Sequence, residues 1–172
     1  MKKIAIAGLL LIFLVAIAFV SVPVSATAVD RLSITDNEGS AGDVIEIPIT
    51  LEGTADAQRS GHWRTYYKPV EGDDEKMDIT SWIEIIPVDY TLKAGEVKEF
   101  TVRITIPKDA KPGLYGATSE YAGMEGHLGE RRTYIIFEDA NAVAVIESQG
   151  SVVYTGLLIP ISVNVLSKPT PI

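Results

Sequence analysis

Two histidines, His62 and His127, are the only imidazoles in the chain, and cysteine is absent. A nucleophilic triad needs an imidazole beside an activated serine and an acid, and neither histidine lies in such a setting. The sequence contains no G-x-S-x-G, no H-E-x-x-H and no phosphate-cradling glycine loop. The chain therefore reads as non-enzymatic and as using no cofactor. Met124-Glu125-Gly126-His127, taken with His62, offers the thioether and imidazole donors that copper favours, but without an H-x-x-x-H or M-x-M spacing. Asp73, Asp74 and Glu75 are hard oxygen donors without the alternating spacing that wraps calcium, so the run reads as a solvated acidic loop. No metal site is assigned.

Binding chemistry is better represented. His62-Trp63-Arg64-Thr65-Tyr66-Tyr67-Lys68 interleaves aromatic rings with cations, a composition that stacks on sugars or anchors protein partners. On a strand, Trp63, Thr65 and Tyr67 face one way and His62, Arg64 and Tyr66 the other. The Trp63 side is expected in the core, which leaves Arg64 and Tyr66 as surface contacts. Tyr121, Met124 and His127 share a glycine-rich stretch, Tyr121 to Gly129, suited to an adaptable binding loop or to a plain hairpin connection. The candidate binding residues are Arg64, Tyr66, Tyr121, Met124 and His127.

These residues must be carried by strands. Ile45, Ile47, Ile49 and Leu51 alternate with polar residues or proline, as do Phe100, Val102, Ile104 and Ile106 with Thr101, Arg103 and Thr105. Ile159, Ile161, Val163 and Val165 share one face of a last strand, and Pro48 marks an edge or a bulge. Further strands are expected at 31–35, 62–67, 82–86, 114–121, 132–137 and 142–147. Turn formers separate them at Asn37-Glu38-Gly39, Ala41-Gly42-Asp43, Lys93-Ala94-Gly95 and Pro107 to Gly113. Short strands at this spacing, about seven to nine of them, predict an all-β, Ig-like antiparallel β-sandwich.

The first residues set the expected address. Met1-Lys2-Lys3, the apolar run Ile4 to Val22 and the small residues Ala26-Thr27-Ala28 form an export signal, expected to be helical. It is either cleaved before Val29 or retained as an N-terminal anchor, the only membrane contact foreseen. The predicted organisation is a signal at 1–28, a sandwich at 29–167 and a Pro-rich tail at 168–172. Net charge is −8, and loss of Lys2 and Lys3 makes the remainder more acidic, which opposes binding to nucleic acid.

The segment Ser81-Trp82-Ile83, Pro87, Leu92-Lys93-Ala94-Gly95-Glu96, Phe100 to Ile106, and Pro107-Lys108-Asp109-Ala110-Lys111-Pro112-Gly113-Leu114-Tyr115-Gly116 carries a resemblance. It is similar to the fibronectin-III-like and NEW3-type modules of prokaryotic surface proteins, and to the peptidoglycan-binding module of WxL-interacting proteins. The resemblance implies an Ig-like fold and a cell-surface setting. Independently of it, Tyr115 stands where sandwiches often place a corner tyrosine bonded back to the preceding loop, and Trp82 reads as a core aromatic.

Three functions follow as expectations. The first is a secreted, non-catalytic module of the cell envelope that contacts a wall polysaccharide, a surface layer or an envelope protein. The second is an extracytoplasmic carrier of a small ligand or metal. The third is a filament subunit, a homo-oligomer built by edge-strand pairing, with 158–166 or 29–35 as donor strand.

Overall fold

The computed structural model describes residues 27–53, 58–118, 130–139 and 156–167. The expected signal core, the 142–147 strand, the Pro-rich tail and the candidates Tyr121, Met124 and His127 lie outside the described residues. Within them the chain forms ten strands: β1 (Thr27–Val29), β2 (Ile34–Ser40), β3 (Val44–Gly53), β4 (Arg59–Tyr67), β5 (Ile83–Ile86), β6 (Asp89–Leu92), β7 (Val97–Thr105), β8 (Gly113–Tyr115), β9 (Thr133–Asp139) and β10 (Gly156–Leu166). A 3₁₀ turn, Thr80–Trp82, precedes β5.

The strands divide between two sheets, ordered β1-β3-β7-β5 and β2-β10-β9-β4-β6, with β8 also paired to β10. All pairings are antiparallel except β2 with β10, which is parallel. The alternating apolar sets point inward: Ile49, Leu51, Val102, Ile104, Ile135 and Ile159 are all completely buried. Each such side chain contributes about 1.5–3 kcal/mol when taken out of water, which is how a chain without disulfides holds two sheets together. Trp63 lies at the centre, edge-on to Phe100 of the facing sheet and to Phe137 of its own, both at 5.4 Å between centroids. Trp82 packs against this core beside Tyr115, 4.7 Å away.

Several local expectations change. Asn37-Glu38-Gly39 belongs to strand β2 and is not a turn; Asn37 donates its side-chain amide to the carbonyls of Ile34 and Ser162, tying β2 to β10. Of the expected 31–35 strand only Ile34 and Thr35 are extended, as the start of β2, and a bend separates them from β1. β1 begins at Thr27, so cleavage after Ala28 would leave only Val29 of it. Pro48 sits where β3 has no outer neighbour among the described residues. The N–H of Thr50, two residues on and pointing the same way, leaves the ladder for the carboxylate of Asp30 at 2.8 Å, so proline there forfeits no ladder bond. The 158–166 stretch, read as a donor strand, is held within its own sheet by β9, β2 and β8. Val29 is likewise paired, to Leu51.

β8 and β9 pair in turn with the two halves of β10, and the chain leaves and rejoins this line between them. The exit is pinned by a bridge between Ala117 and Arg131 and by the Gly116 carbonyl, which accepts from the N–H groups of both Arg132 and Thr133. Gly116 has φ of 81° and runs against Ile161 and Ile79, a position that only glycine fills without strain. The corner tyrosine is present: Tyr115 donates to the Lys111 carbonyl at 3.0 Å and accepts from the Lys111 N–H at 3.1 Å.

Candidate functional site

The outward face of β4 and β9 gathers the polar and aromatic side chains that the alternation assigned to the surface. Cross-strand register sets three rows: Tyr66, Tyr134 and Pro160; Arg64, Ile136 and Leu158; His62, Glu138 and Gly156. Arg64 and Tyr66, both expected as surface contacts, are neighbours here, and the Arg64 guanidinium lies 5.7 Å from the centre of the Tyr66 ring. That ring tilts at 40° against Tyr134, 6.2 Å between centroids.

Glu138 is the residue that sequence reasoning missed. It accepts from Arg64 Nε and pairs with His62 Nε2 at 3.0 Å, although its own side chain is only 12% exposed. A carboxylate held between two donors on a rigid strand fixes the guanidinium over the tyrosine. Its signal was present in the register: once β4 and β9 pair antiparallel, His62 and Glu138 are directly opposed. Burial pushes the Tyr134 hydroxyl above its ordinary pKa, with smaller opposing effects from Arg131 and Arg132, so it remains a neutral phenol that donates to the Arg131 carbonyl.

Beside this face, the acidic run 73–75 departs from its expected solvated state at one position. The Asp73 carboxylate meets Arg132 Nε at 2.9 and 3.0 Å, and both side chains are 8% exposed. Tyr67 OH and the Val70 N–H also donate to it. Burial alone would raise the Asp73 pKa, but the hydrogen bonds from Arg132, Tyr67 and Val70 outweigh it and hold the carboxyl below its usual range. Tyr67 moves up, through burial first and then through its bond to Asp73. The segment following β4 is thereby stapled against β9 next to Tyr66.

Among the described residues no group of three or more His, Asp or Glu is placed to hold a metal ion, and no helix is long and apolar enough to cross a membrane. The arrangement offers a partly exposed planar cation, the Tyr66 ring and the exposed Leu158 on a stiff sheet, with Tyr134 buried behind the Tyr66 ring. Such a surface binds by stacking and hydrogen bonding.

No protein-family model matches the chain, and none of the curated proteins does. Solved structures do match. The seventh PapD-like (ASH) domain of human CEP192 aligns over 84% of this chain and 88% of that one, at 14% identity and a TM-score of 0.52. The chain has an immunoglobulin-like, PapD-like sandwich fold. A family 123 glycoside hydrolase from Clostridium perfringens aligns over 85% of this chain but only 28% of its own length, at 12% identity and a TM-score of 0.51. A chaperone-tip adhesion subunit pre-assembly complex from the Csu pili of Acinetobacter baumannii aligns over 82% of this chain at 14% identity and a TM-score of 0.47. At these identities the likeness is one of fold, and the expected Ig-like architecture is present.

Proposed function

We propose that the chain is an exported, non-catalytic binding module of the cell envelope, and that it contacts an envelope protein or wall polysaccharide through the outer face of β4 and β9. The observation that carries this reading is the Glu138-held Arg64 lying over Tyr66, with Tyr134 and Leu158 beside it. Charge, ring and apolar surface are presented there by strands whose opposite face is the core, so little ordering remains to be done on binding. The charged and small-residue pattern of the first 28 residues supports export. Attachment to wall material of the NEW3-type or WxL-interacting kind remains the finer form of the same proposal.

The test is co-sedimentation of the purified protein with isolated cell-wall polymer and, separately, with washed envelope membranes. Arg64→Ala with Tyr66→Ala is expected to weaken capture about tenfold or more while the melting curve keeps its shape. Undiminished capture by that double variant would move the contact surface elsewhere. Turnover of any substrate, lost on a single substitution, would overturn the non-catalytic reading.

A further inference from the structure

A groove of about 510 Å³ opens between the two sheets where β4 and β5 run side by side unpaired, lined by Trp63, Thr65, Ile83, Ile85, Ile86 and Val88 among others. Its backbone chemistry follows from register. β6 pairs with β4 only over Arg59–His62, and the last bond on that side runs from the Trp63 N–H to the Val88 carbonyl at 2.8 Å. Peptide groups of a strand alternate in direction, so Thr65 turns its N–H and C=O to the same side, past the point where β6 has ended. β5 mirrors this. The Thr50 N–H faces away from β7, so Ile45, Ile47 and Ile49 bond β7 at Ile104, Val102 and Phe100; Arg103 and Thr101 then serve Glu84 and Ile86. Ile85 is left with its peptide groups on the open side. Two strand edges without ladder partners among the described residues thus confront each other across an apolar floor.

The surrounding side chains fit the same purpose. Ile86 is 37% exposed and Val88 51%, large aliphatic groups at a place where the sandwich leaves them uncovered. Trp63 lines the groove, and its Nε1 is buried with no acceptor among the described residues. A row of alternating donors and acceptors above apolar side chains matches an extended polypeptide, whose own peptide groups repeat in step and whose alternate side chains point down. A glycan offers no such repeat. A second copy of this chain is a poor occupant: the net charge of −8 repels it, and the outer edge of its β3 is closed by Pro48 and by Asp30.

We infer that this groove is an acceptor site for an extended segment of a partner protein, with apolar residues at alternate positions and basic flanks, added as a strand to the β4 edge. It is separate from the outward face of β4 proposed above and stands on different observations.

The probe is the synthetic peptide Lys-Thr-Val-Thr-Val-Thr-Val-Lys, beside the same peptide N-methylated at alternate amides, each titrated into the full chain with amide hydrogen exchange as readout. The unmodified peptide is expected to slow exchange at Thr65 and Ile85. The N-methylated peptide and the Ile86→Lys variant are each expected to weaken binding about tenfold or more, because one loses the ladder and the other sets a charge on the rim that repels the basic flanks. Thr65→Pro, which deletes the edge N–H, gives the same loss if it folds. Equal binding of the methylated peptide, protection confined to β3 or to the outward face, no protection at millimolar peptide, or a concentration-dependent dimer that the peptide does not disperse would each overturn the assignment.

Discussion

Arg132 Nε stands 2.9 and 3.0 Å from the two carboxylate oxygens of Asp73, and the pair is nine-tenths buried between β9 and the segment after β4. A buried ion pair adds little over apolar packing, but removing one partner strands the other charge in a poor solvent. Arg132→Met is therefore expected to lower the melting temperature more than the double change Arg132→Met with Asp73→Leu, as read by thermal unfolding of the three proteins. Equal melting of the single and double variants would show that the pair carries no coupling.

The same carboxyl sets an acid limit. Its folded pKa lies below its ordinary value, so it contributes stability that is fully present above the unfolded pKa near 4 and is lost as pH falls through the folded value. Chemical denaturation between pH 6 and about pH 2 should show this decline in the parent and a flatter profile in Asp73→Asn. A profile unchanged by the substitution would place the acid sensitivity in other carboxylates.

Tyr115→Phe removes the donor to the Lys111 carbonyl and the acceptor for the Lys111 N–H while keeping the ring. Urea unfolding is expected to show a loss of about 1–2 kcal/mol. Tyr134→Phe, whose single bond to the Arg131 carbonyl is longer at 3.3 Å, should lose less.

Thr133 is completely buried, and its hydroxyl accepts from the Ile79 N–H while donating to the Met77 carbonyl at 2.7 Å. Thr133→Val keeps shape but leaves both backbone groups unsatisfied, at an expected cost of about 1–3 kcal/mol in equilibrium unfolding. Thr133→Ser should recover most of it.

Gly61 has ordinary strand conformation, yet a methyl there would collide with the Glu138 carbonyl and the Tyr90 ring, whose hydroxyl donates to that carbonyl at 3.1 Å. Gly61→Ala is expected to destabilise by about 3 kcal/mol or more, because the obstacle includes backbone. A small effect would mean that both the Tyr90 ring on β6 and the Glu138 peptide on β9 can shift aside.

These positions show where sequence reasoning reached and where it stopped. Strands β3, β7 and β10 were legible because each is buried on one face, and period-two alternation is the direct imprint of that. The division of β4 into Trp63 inside and Arg64 with Tyr66 outside came from the same rule. Strand β2 was misread because Asn37-Glu38-Gly39 has turn chemistry, and only parallel pairing with β10, remote in sequence, holds it extended. β6 is four residues between two turn signals, too short for periodicity to register. Asp73 looked solvated because its partner lies 59 residues away, and Glu138 went unnoticed because only register sets it opposite His62. Local pattern reports which face is buried; it does not report which distant side chain arrives there.

The anchors at Gly116, Ala117, Arg131 and Thr133 have a mechanical corollary. They join the end of β8 to the start of β9 backbone to backbone, with one carbonyl, that of Gly116, serving two N–H groups. A proline at 132 or 133, which deletes one of those donors, would loosen both strand ends together, so the junction is a point of shared vulnerability in the sandwich.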